Sequence, residues 1–423
     1  MVRPVLMLFV GARGMGLADL IAPLAAVADV VVAAGEDALA ARPDALDESL
    51  PLADVVLAAD QAGLLEKCLH YAEHRGVDGA LTFSEDQVEV TAAFAEQTGV
   101  PGQPTRTVSR FVDKHAQRQA LADAGVPVPA FHLIRDAADV PAALAAVPLP
   151  AVLKPTRGSG GALVSIITEP GEVVDRLRTA GVSVPHVGGA VTADTCFILE
   201  QLLVGANRHD IEGFAPYVSV ESLAVGGQYR HLAVTDRFPV APPVLETGMM
   251  LPSGLPGDVR QRICDAAGEA LRALEFEHGL AHTELMLTAD GPVVIEVNAR
   301  SGGALPYLFP LVGDFSLVEA AGRVALGELP VCPADFRGHA VFYAPQHPVG
   351  VRVRKVDGLG ELRTLPGIRA VIPLTGAGTS TEHFRNTMMA AVIGSVATPQ
   401  DAVTLWHKVM DGVHAEYDTI GER

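Results

Sequence analysis

Short apolar runs alternate with amphipathic stretches over the first hundred residues of the chain. Runs of this length that are rich in β-branched residues predict strands, here at 5–11, 29–35, 54–60 and 79–86. The amphipathic stretches 61–75 and 87–98 predict helices. Strands that alternate with helices are typical of βαβ units around a parallel sheet, so this part of the sequence predicts the α/β fold class.

The pattern changes after a proline-containing linker at 101–107. A helix is predicted at 109–124, because Gly125 and Pro127 end the helical pattern. Further on, the predicted elements are a strand, glycine loop and strand over 151–167, a strand running into a connecting segment over 196–205, hairpins at 217–238 and 282–300, and helices at 257–274 and 398–417. Hairpins predict antiparallel sheet, so this second part is predicted to be α+β.

The segment 293–303, VVIEVNARSGG, carries the most informative polar residues. Glu296, Asn298 and Arg300 alternate with Val297 and Ala299, so their side chains are predicted to leave one face of a strand. Carboxylate and amide oxygens suit Mg²⁺, which usually shares its coordination with phosphates. An arginine nearby could bind a phosphoryl group or a carboxylate. The segment therefore predicts metal–nucleotide chemistry.

A second carboxylate, Glu284, lies on the other strand of the same predicted hairpin. Two adjacent carboxylates repel each other unless a cation lies between them or one takes a proton. Glu284 and Glu296 are therefore predicted to share Mg²⁺, and the alternative is two unrelated surface carboxylates. His282 is predicted on the same face as Glu284, where a structural or supporting role is favoured over a catalytic one.

Two lysines upstream fit phosphate binding. Lys154 ends an apolar strand, where a charge needs a nearby anion. The loop that follows, TRGSGG at 156–161, contains glycines that let backbone N–H groups approach phosphates. It is not a Walker A loop, because the lysine precedes the glycines, and a hairpin turn with an incidental lysine is the alternative. Lys114, on the helix after the linker, gains its significance from Lys154.

Two further signals are weak by themselves. Glu200 ends an apolar strand, and the backbone at 201–203 could pair with an adenine edge, although an ordinary strand end explains it equally well. Gly11, Gly14 and Gly16 follow the first predicted strand. They allow a dinucleotide site, but a tight turn between a strand and a helix is the favoured interpretation.

Composition limits the class of protein. A chain of 423 residues has room for two or three domains, and 49% hydrophobic with 19% charged residues is an ordinary globular composition. No apolar run approaches the roughly 20 residues that span a bilayer. The net charge of −19 argues against a nucleic-acid or anionic-membrane partner. The four cysteines form no CxxC pair, so neither a disulfide framework nor a zinc site is predicted, and a cytoplasmic location is expected.

Taken together, the chain resembles the ATP-grasp enzymes over about residues 1–330. The resemblance is carried by residues in a shared order: Lys114, Lys154 with its glycine loop, Glu200, Glu284, and the strand Glu296-x-Asn298-x-Arg300. The segment 282–303, HTELMLTADGPVVIEVNARSGG, is most similar to the L-amino acid ligase branch, the dipeptide-forming carboxylate–amine ligases. The segments 218–223 and 236–240 also fit that branch.

This resemblance implies an ATP-grasp fold with an N-terminal Rossmann-like pre-ATP-grasp domain. The implied segments are 1–105 for that domain, 106–195 for the small lid subdomain, 196–330 for the large subdomain with the MgATP site, and 331–423 for a C-terminal α+β subdomain packing on it. The implied reaction has ATP phosphorylate a carboxylate, after which an amine attacks the acyl phosphate to give an amide, ADP and phosphate. Small amino acids or amines would be the substrates, and a homodimer is open because the family often dimerises.

The resemblance also implies roles for individual residues. The ATP-binding residues would be Lys114, Lys154, Gly158, Ser159, Gly160, Gly161, Glu200, Gln201 and Leu203. Mg²⁺, or alternatively Mn²⁺, would be held by Glu284, Glu296 and Asn298. The substrates would contact Arg300, Ser301, Gly302, Gly303, Glu246, Met249 and His282. The catalytic residues would be Arg300, Glu246 and Lys154.

Two departures from the pattern of that branch concern the substrates. Where the dipeptide ligases have Glu-Thr-Gly-His near the amino-acid site, this chain has Glu246-Thr247-Gly248-Met249, which leaves the second amino acid open. Tyr217 stands where relatives tend to have a glutamate before the strand, so the residue that binds ribose is also open, with Asp210 and Glu212 as candidates.

Three other functions compete with a ligase. Asn207-Arg208-His209 suggests a carboxylase of the biotin-carboxylase type, although no biotinyl-lysine context occurs in the sequence. A nucleotide-binding protein without ligase activity is a second alternative, and the intact set of Glu284, Glu296, Asn298 and Arg300 argues against it. A dinucleotide-dependent enzyme would depend on Gly11–Gly16 alone.

Overall fold

The computed structural model describes residues 3–12, 14–42, 52–158, 161, 163–180, 185–186, 189–190, 196–332, 335–381 and 387–419. Its N-terminal part is a parallel four-stranded sheet with the strand order β3-β2-β1-β4. The elements are β1 Val5–Val10, α1 Leu17–Leu24, β2 Asp29–Gly35, α2 Glu36–Ala40, β3 Leu52–Ala58, α3 Gln61–Arg75, β4 Gly79–Thr82 and α4 Val88–Thr98, with a 3-10 helix Glu85–Gln87 after β4. The four predicted strands are confirmed.

Two short helices follow, α5 Thr105–Val112 and α6 Lys114–Asp123. The predicted single helix at 109–124 was therefore wrong, and the predicted linker ends earlier than expected. The break lies at Asp113, whose backbone is extended and whose side chain accepts a hydrogen bond from the N–H of Ala116 at 2.9 Å. An N-cap of this kind starts a new helix and turns the chain, so that Lys114 begins α6.

A small antiparallel sheet comes next, with the strand order β5-β10-β6-β7. Its part of the chain contains β5 Phe131–Ile134, a 3-10 helix Ala137–Asp139, α7 Val140–Ala146, β6 Ala151–Pro155, β7 Ser165–Ile167, α8 Pro170–Ala180, β8 Pro185–His186, β9 Gly189–Ala190 and β10 Phe197–Gln201. The two-residue strands β8 and β9 pair with each other. The two predicted strands that flank the glycine loop over 151–167 are confirmed.

The largest sheet has eight antiparallel strands in the order β15-β14-β11-β12-β13-β16-β19-β18. The remaining elements are β11 Tyr217–Val225, β12 Gln228–Arg237, β13 Gly248–Leu251, α9 Gly257–Ala273, β14 Gly279–Leu287, β15 Pro292–Asn298, α10 Leu305–Val312, α11 Leu317–Ala325, β16 His339–Tyr343, β17 Val351–Asp357, α12 Leu359–Leu362, β18 Ile368–Pro373, β19 Ala390–Val396, α13 Pro399–Gly412 and β20 His414–Thr419. Both predicted hairpins are confirmed by the pairing of β11 with β12 and of β14 with β15.

The C-terminal part contributes strands to two sheets. β16, β18 and β19 follow residue 330 in the chain and belong to the eight-stranded sheet, whereas β17 and β20 form a separate sheet. The limits of the four predicted segments stay predictions. The predicted helix at 398–417 was too long, because it ends at Gly412 and the chain continues as β20, paired with β17. In the sequence HAEYDT the side chains alternate between two faces of a strand, which favours strand pairing over a longer helix.

The N-terminal sheet packs directly on α11. The two parts share one hydrophobic cluster that includes Leu6, Leu8 and Leu24 from the first and Val318 and Ala321 from the second. This close packing fixes the N-terminal sheet against the large sheet, and it sets which loops of the two parts can meet.

No helix among the described residues is long and apolar enough to cross a membrane.

Candidate active site

The hairpin of β14 and β15 gathers the predicted metal ligands. Glu284 lies directly opposite Glu296, and His282 lies directly opposite Asn298. Directly paired residues of an antiparallel sheet point to the same face with their Cβ atoms about 5 Å apart. The predicted closeness of Glu284 and Glu296 is therefore confirmed, and the oxygen ligands of these residues and Asn298 share one face.

The strand itself is less regular than predicted. The register of β14 and β15 shifts next to Glu284, so that Leu285 pairs with Val294 and Ile295 forms a bulge. The strand also ends at Asn298, so Arg300 lies beyond it and the predicted strand alternation does not extend to Arg300. Arg300 nevertheless stays close, because its NH2 donates to Asn298 Oδ1 at 3.5 Å.

His282 is the centre of a buried network of charges. Its Nδ1 bonds a carboxylate oxygen of Glu221, and its Nε2 lies 3.2 Å from Glu284 Oε1. Burial favours the neutral imidazole, but the charge and hydrogen bond of Glu221, with help from Glu284, outweigh it and raise the pKa of His282 to about 9. Burial also favours the neutral form of Glu284 and by itself would raise the pKa of this carboxyl group. The hydrogen bond and charge of His282 and the charge of Arg237 instead lower that pKa to about 2. Glu284 is therefore ionised at neutral pH, as a metal ligand must be.

Lys114 connects the glycine loop to the hairpin. Its Nζ lies 3.0 Å from Glu296 Oε1 and donates to the carbonyl of Gly158 at 2.7 Å, while its backbone N–H donates to Thr156 O at 2.7 Å. Gly158 and Gly161 have positive φ values of 129° and 72°, a backbone conformation that favours glycine. Ser159 and Gly160 lie outside the described residues. The start of the loop is thus fixed next to a predicted metal ligand.

Lys154 belongs to a buried triad with Glu200 and Arg118. Glu200 Oε2 lies 2.7 Å from Lys154 Nζ, and Glu200 Oε1 lies 2.8 Å from Arg118 Nε. Burial lowers the pKa of Lys154 even though Glu200 opposes the shift, and the two cations lower the pKa of Glu200 against the effect of burial. The side chain of Glu200 thereby positions Lys154. The N–H groups of Gln201 and Leu202 are bonded to Ala130 O and Pro150 O, so the adenine contact at 201–203 stays a prediction.

Sequence reasoning missed two residues of α6 that hold this site together. Arg118 also donates to the carbonyl of Ile295 in β15. Gln117 forms two hydrogen bonds with the next part of the same strand. Its Oε1 accepts from the N–H of Val297 at 2.8 Å, and its Nε2 donates to the carbonyl of Val297 at 2.7 Å. Positions 114, 117 and 118 follow the i, i+3, i+4 spacing of one helix face, which is the signal that could have revealed them.

Arg300 meets a carboxylate from the N-terminal sheet, which sequence reasoning also missed. Its Nε donates to Glu85 Oε2 at 2.7 Å, and its NH1 donates to Ser301 O at 2.9 Å. Burial raises the pKa of Glu85, and the negative charge of Glu296 adds to this, although Arg300 and Lys114 oppose it. Arg300 and Glu85 therefore form one ion pair across the two parts of the molecule.

The segment after Arg300 packs tightly on His282. The N–H of Gly302 donates to Glu221 Oε2 at 3.3 Å. A Cβ added at Gly302 would lie 2.8 Å from the His282 ring and 2.6 Å from Leu305, whereas one added at Gly303 would meet nothing within 4 Å. The space at position 302 therefore fits a glycine and leaves no room for a larger side chain.

Glu246 is held by a buried arginine that the sequence did not single out. Arg237 NH1 lies 2.6 Å from Glu246 Oε1, and its NH2 donates to Ser219 Oγ at 3.1 Å. Tyr217 donates weakly to Glu246 at 3.5 Å, and its pKa is raised by burial and then by Glu246, so it stays a neutral donor. Met249 lies opposite Arg237 and is only 5% exposed. The substrate contacts predicted for Glu246 and Met249 stay predictions.

Comparison with known families assigns the part of the chain that carries this site. A match to the family described as ATP-grasp domain covers residues 111–304, which include the predicted lysines and the whole β14–β15 hairpin. Residues 111–304 form an ATP-grasp domain. The predicted resemblance to ATP-grasp enzymes is confirmed.

Solved structures share the architecture of this chain over nearly its whole length. An L-amino acid ligase from Bacillus licheniformis matches with a TM-score of 0.80 and 20% identity over 99% of this chain and 100% of that one. A biotin carboxylase from Campylobacter jejuni matches with a TM-score of 0.66 and 15% identity over 98% of this chain and 92% of that one. At these identities the likeness shows the fold, which confirms the predicted fold class.

Curated relatives match at higher identity over a shorter stretch. The alanine–anticapsin ligase of Bacillus subtilis (strain 168) is 29% identical over 248 residues, which cover 57% of this chain and 52% of the relative. Carnosine synthase 1 of Gallus gallus is 30% identical over 285 residues, which cover 64% of this chain and 30% of the relative. This chain therefore spans about half the length of the alanine–anticapsin ligase and 30% of the length of carnosine synthase 1.

Proposed function

We propose that this chain is an ATP-dependent carboxylate–amine ligase that joins small amino acids, or an amino acid and an amine, through an acyl phosphate. The observation that carries the proposal is the convergence of Lys114, Glu284, Glu296 and Arg300 at the end of one hairpin. The names of the relatives, alanine–anticapsin ligase and carnosine synthase, support the same reaction class.

The donor set fits Mg²⁺. Glu284 and Glu296 offer carboxylate oxygens and Asn298 an amide oxygen, which are hard ligands of the kind that Mg²⁺ takes. The negative charge of Glu296 is compensated by Lys114, and that of Glu284 by His282. A bound Mg²⁺ would take over part of this compensation. When bound, Mg²⁺ supplies positive charge next to the transferring phosphoryl group.

The chain's own residues then have distinct tasks. Lys114 and Lys154 bind the phosphates, and the loop 156–161 excludes water from them. Arg300 holds the carboxylate of the first substrate. An oxygen of that carboxylate forms a bond to the γ-phosphorus of ATP, and ADP leaves. The neutral amine of the second substrate then forms a bond to the acyl carbon, the bond from that carbon to the phosphate oxygen breaks, and phosphate leaves with the proton that the amine gives up. Such chemistry depends on positioning and charge, which suits a site of lysine and arginine residues.

A carboxylase is the second candidate, since solved biotin carboxylases share the fold. The segment that suggested it has structural contacts in this chain. Arg208 donates to the carbonyls of Thr288 and Ala289 at 2.9 and 2.8 Å, and His209 lies 3.0 Å from the buried Asp236. These contacts favour a role in holding the β14–β15 turn, and they leave the ligase as our proposal.

Release of ADP and phosphate from MgATP tests the proposal. Wild-type protein is incubated with pools of L-amino acids and amines, and the products are identified by mass spectrometry. A ligase releases ADP only when a carboxylate and an amine are both present. Release that needs bicarbonate would favour the carboxylase, and no release with any pool would overturn the ligase.

A further inference from the structure

The exposed face of α3 near its C-terminal end carries three side chains of the types that bind metal ions. His70, Glu73 and His74 follow the i, i+3, i+4 spacing that places residues on one face of a helix. One ligand atom of each lies within 4.8 Å of those of the other two. Two ligands about 2.1 Å from a tetrahedral metal lie about 3.4 Å apart. These exposed side chains therefore need only small rotations to close on one ion.

The helix that carries these residues is fixed on the N-terminal sheet. Leu64 and Cys68, on its other side, are fully buried in the cluster that covers one face of that sheet. Asp60 caps the start of the helix by accepting from the N–H of Gly63 at 2.8 Å, and the N–H of Gly76 closes the last turn. The backbone is thus in place before a metal binds, so that binding has to order only the side chains.

The ring of His74 is oriented by its own helix. Its Nδ1 lies 2.8 Å from the carbonyl oxygen of His70. A carbonyl only accepts hydrogen bonds, so Nδ1 carries a proton and the neutral ring presents the lone pair of Nε2. Histidines that bind metals are usually held in this way, with the second ring nitrogen bonded to a carbonyl or a carboxylate. The His74 ring is therefore arranged as that of a metal ligand.

The donor set indicates the class of metal. Two imidazole nitrogens and one carboxylate oxygen suit Zn²⁺ and similar transition-metal ions, whereas Mg²⁺ and Ca²⁺ prefer oxygen ligands alone. Three protein ligands leave a fourth position of Zn²⁺ for water or another small ligand. The cysteine spacing argued against a zinc site built from cysteines, and this group contains none.

The surroundings favour a cation at this position. The three residues lie in the last two turns of α3, where the helix dipole carries partial negative charge. Two basic residues lie nearby. The Nζ of Lys67 donates to the carbonyl of Leu57 at 2.7 Å, which holds its charge toward β3. Arg75 is exposed, so water and salt screen its repulsion. The net charge of −19 adds a general attraction for cations.

We infer that His70, Glu73 and His74 form a binding site for Zn²⁺ or a similar transition-metal ion on the surface of the N-terminal part. This site is separate from the carboxylates and amide of the β14–β15 hairpin, which suit Mg²⁺. The inference goes beyond the proposed function and does not depend on it. A bound ion would link residues one turn apart and hold the last turn of α3 in place.

The test measures Zn²⁺ binding by the full-length protein. Metal is removed by dialysis against EDTA, and ZnCl₂ is then titrated in competition with a chromogenic zinc indicator, without nucleotide. Wild type is compared with His74→Ala and with the exchange His74→Arg/Arg75→His. The exchange keeps the composition and charge of the helix but moves one imidazole by about 100° around its axis. His407→Ala removes an exposed histidine from α13 and is the control. Zn²⁺ bound by the hairpin carboxylates is common to all four proteins and cancels.

We expect wild type to bind one more equivalent of Zn²⁺ than His74→Ala and than the exchange variant. Loss of a ligand should weaken this site by at least about 10- to 100-fold, the effect of losing a partner that merely orients a ligand. His407→Ala should bind as wild type does. The four proteins should give the same circular dichroism, because every changed position is exposed. Equal Zn²⁺ affinity and stoichiometry in wild type and His74→Ala would overturn the inference. So would undiminished binding by the exchange variant, since the position of the ring would then not matter.

Discussion

Replacement of Arg118 by methionine should destabilise the protein by about 3–5 kcal/mol, because it removes one of the two cations that pair with a buried carboxylate. The Arg118 and Glu200 side chains are 1% and 6% exposed, and their N–O distance is 2.8 Å. Lys154 would remain 2.7 Å from Glu200, which places the expected loss toward the lower end of the range. The contact of Arg118 with the carbonyl of Ile295 is lost as well.

Urea unfolding followed by far-ultraviolet circular dichroism measures the change. Arg262→Met is the matched control, since Arg262 forms a surface pair with Asp258 at 3.3 Å and both side chains are mostly exposed. Such a pair contributes less than about 1 kcal/mol. The double variant Arg118→Met/Glu200→Gln should lose more stability than Arg118→Met alone, because it also leaves the buried Lys154 ammonium without its carboxylate partner. A loss below about 1 kcal/mol for Arg118→Met, equal to that of the control, would refute the reasoning.

Three further predictions concern the hairpin end. Arg300→Ala should abolish amide formation and largely spare MgATP binding measured by calorimetry; wild-type turnover would show that the role given to Arg300 is wrong. Gly302→Ala should lower stability by about 1–3 kcal/mol, since the added Cβ has to displace His282 or Leu305, whereas Gly303→Ala should change little in the same thermal denaturation. In magnesium-free protein the pKa of His282 is raised from its ordinary value of 6.5 to about 9. This shift stabilises the folded protein fully below pH 6.5, and the stabilisation is lost as the pH rises toward 9. The melting temperature of His282→Gln should therefore fall less than that of wild type between pH 6.5 and 9, and parallel curves would contradict this assignment.

Local patterns determined much of the fold. The strands β1 to β4 are short and almost fully apolar, so a parallel sheet covered on both faces is their natural arrangement. The hairpin of β14 and β15 follows from its Asp290–Gly291 turn. Boundaries were less predictable where a single side chain decides them, as at Asp113, which starts a helix that the apolar pattern alone continues through.

The sequence by itself also determined which residues have the right chemistry, since Glu284, Glu296 and Asn298 are recognisable from one hairpin. Their partners come from distant segments, and only the tertiary structure decided them. Glu85 is 215 residues from Arg300 in the chain. Arg118 is 82 residues from Glu200. A local pattern contains no information on which distant charge will share a buried position. The packing of the N-terminal sheet on α11 and of α6 on β15 supplies it, because a charge excluded from water has to find its partner there.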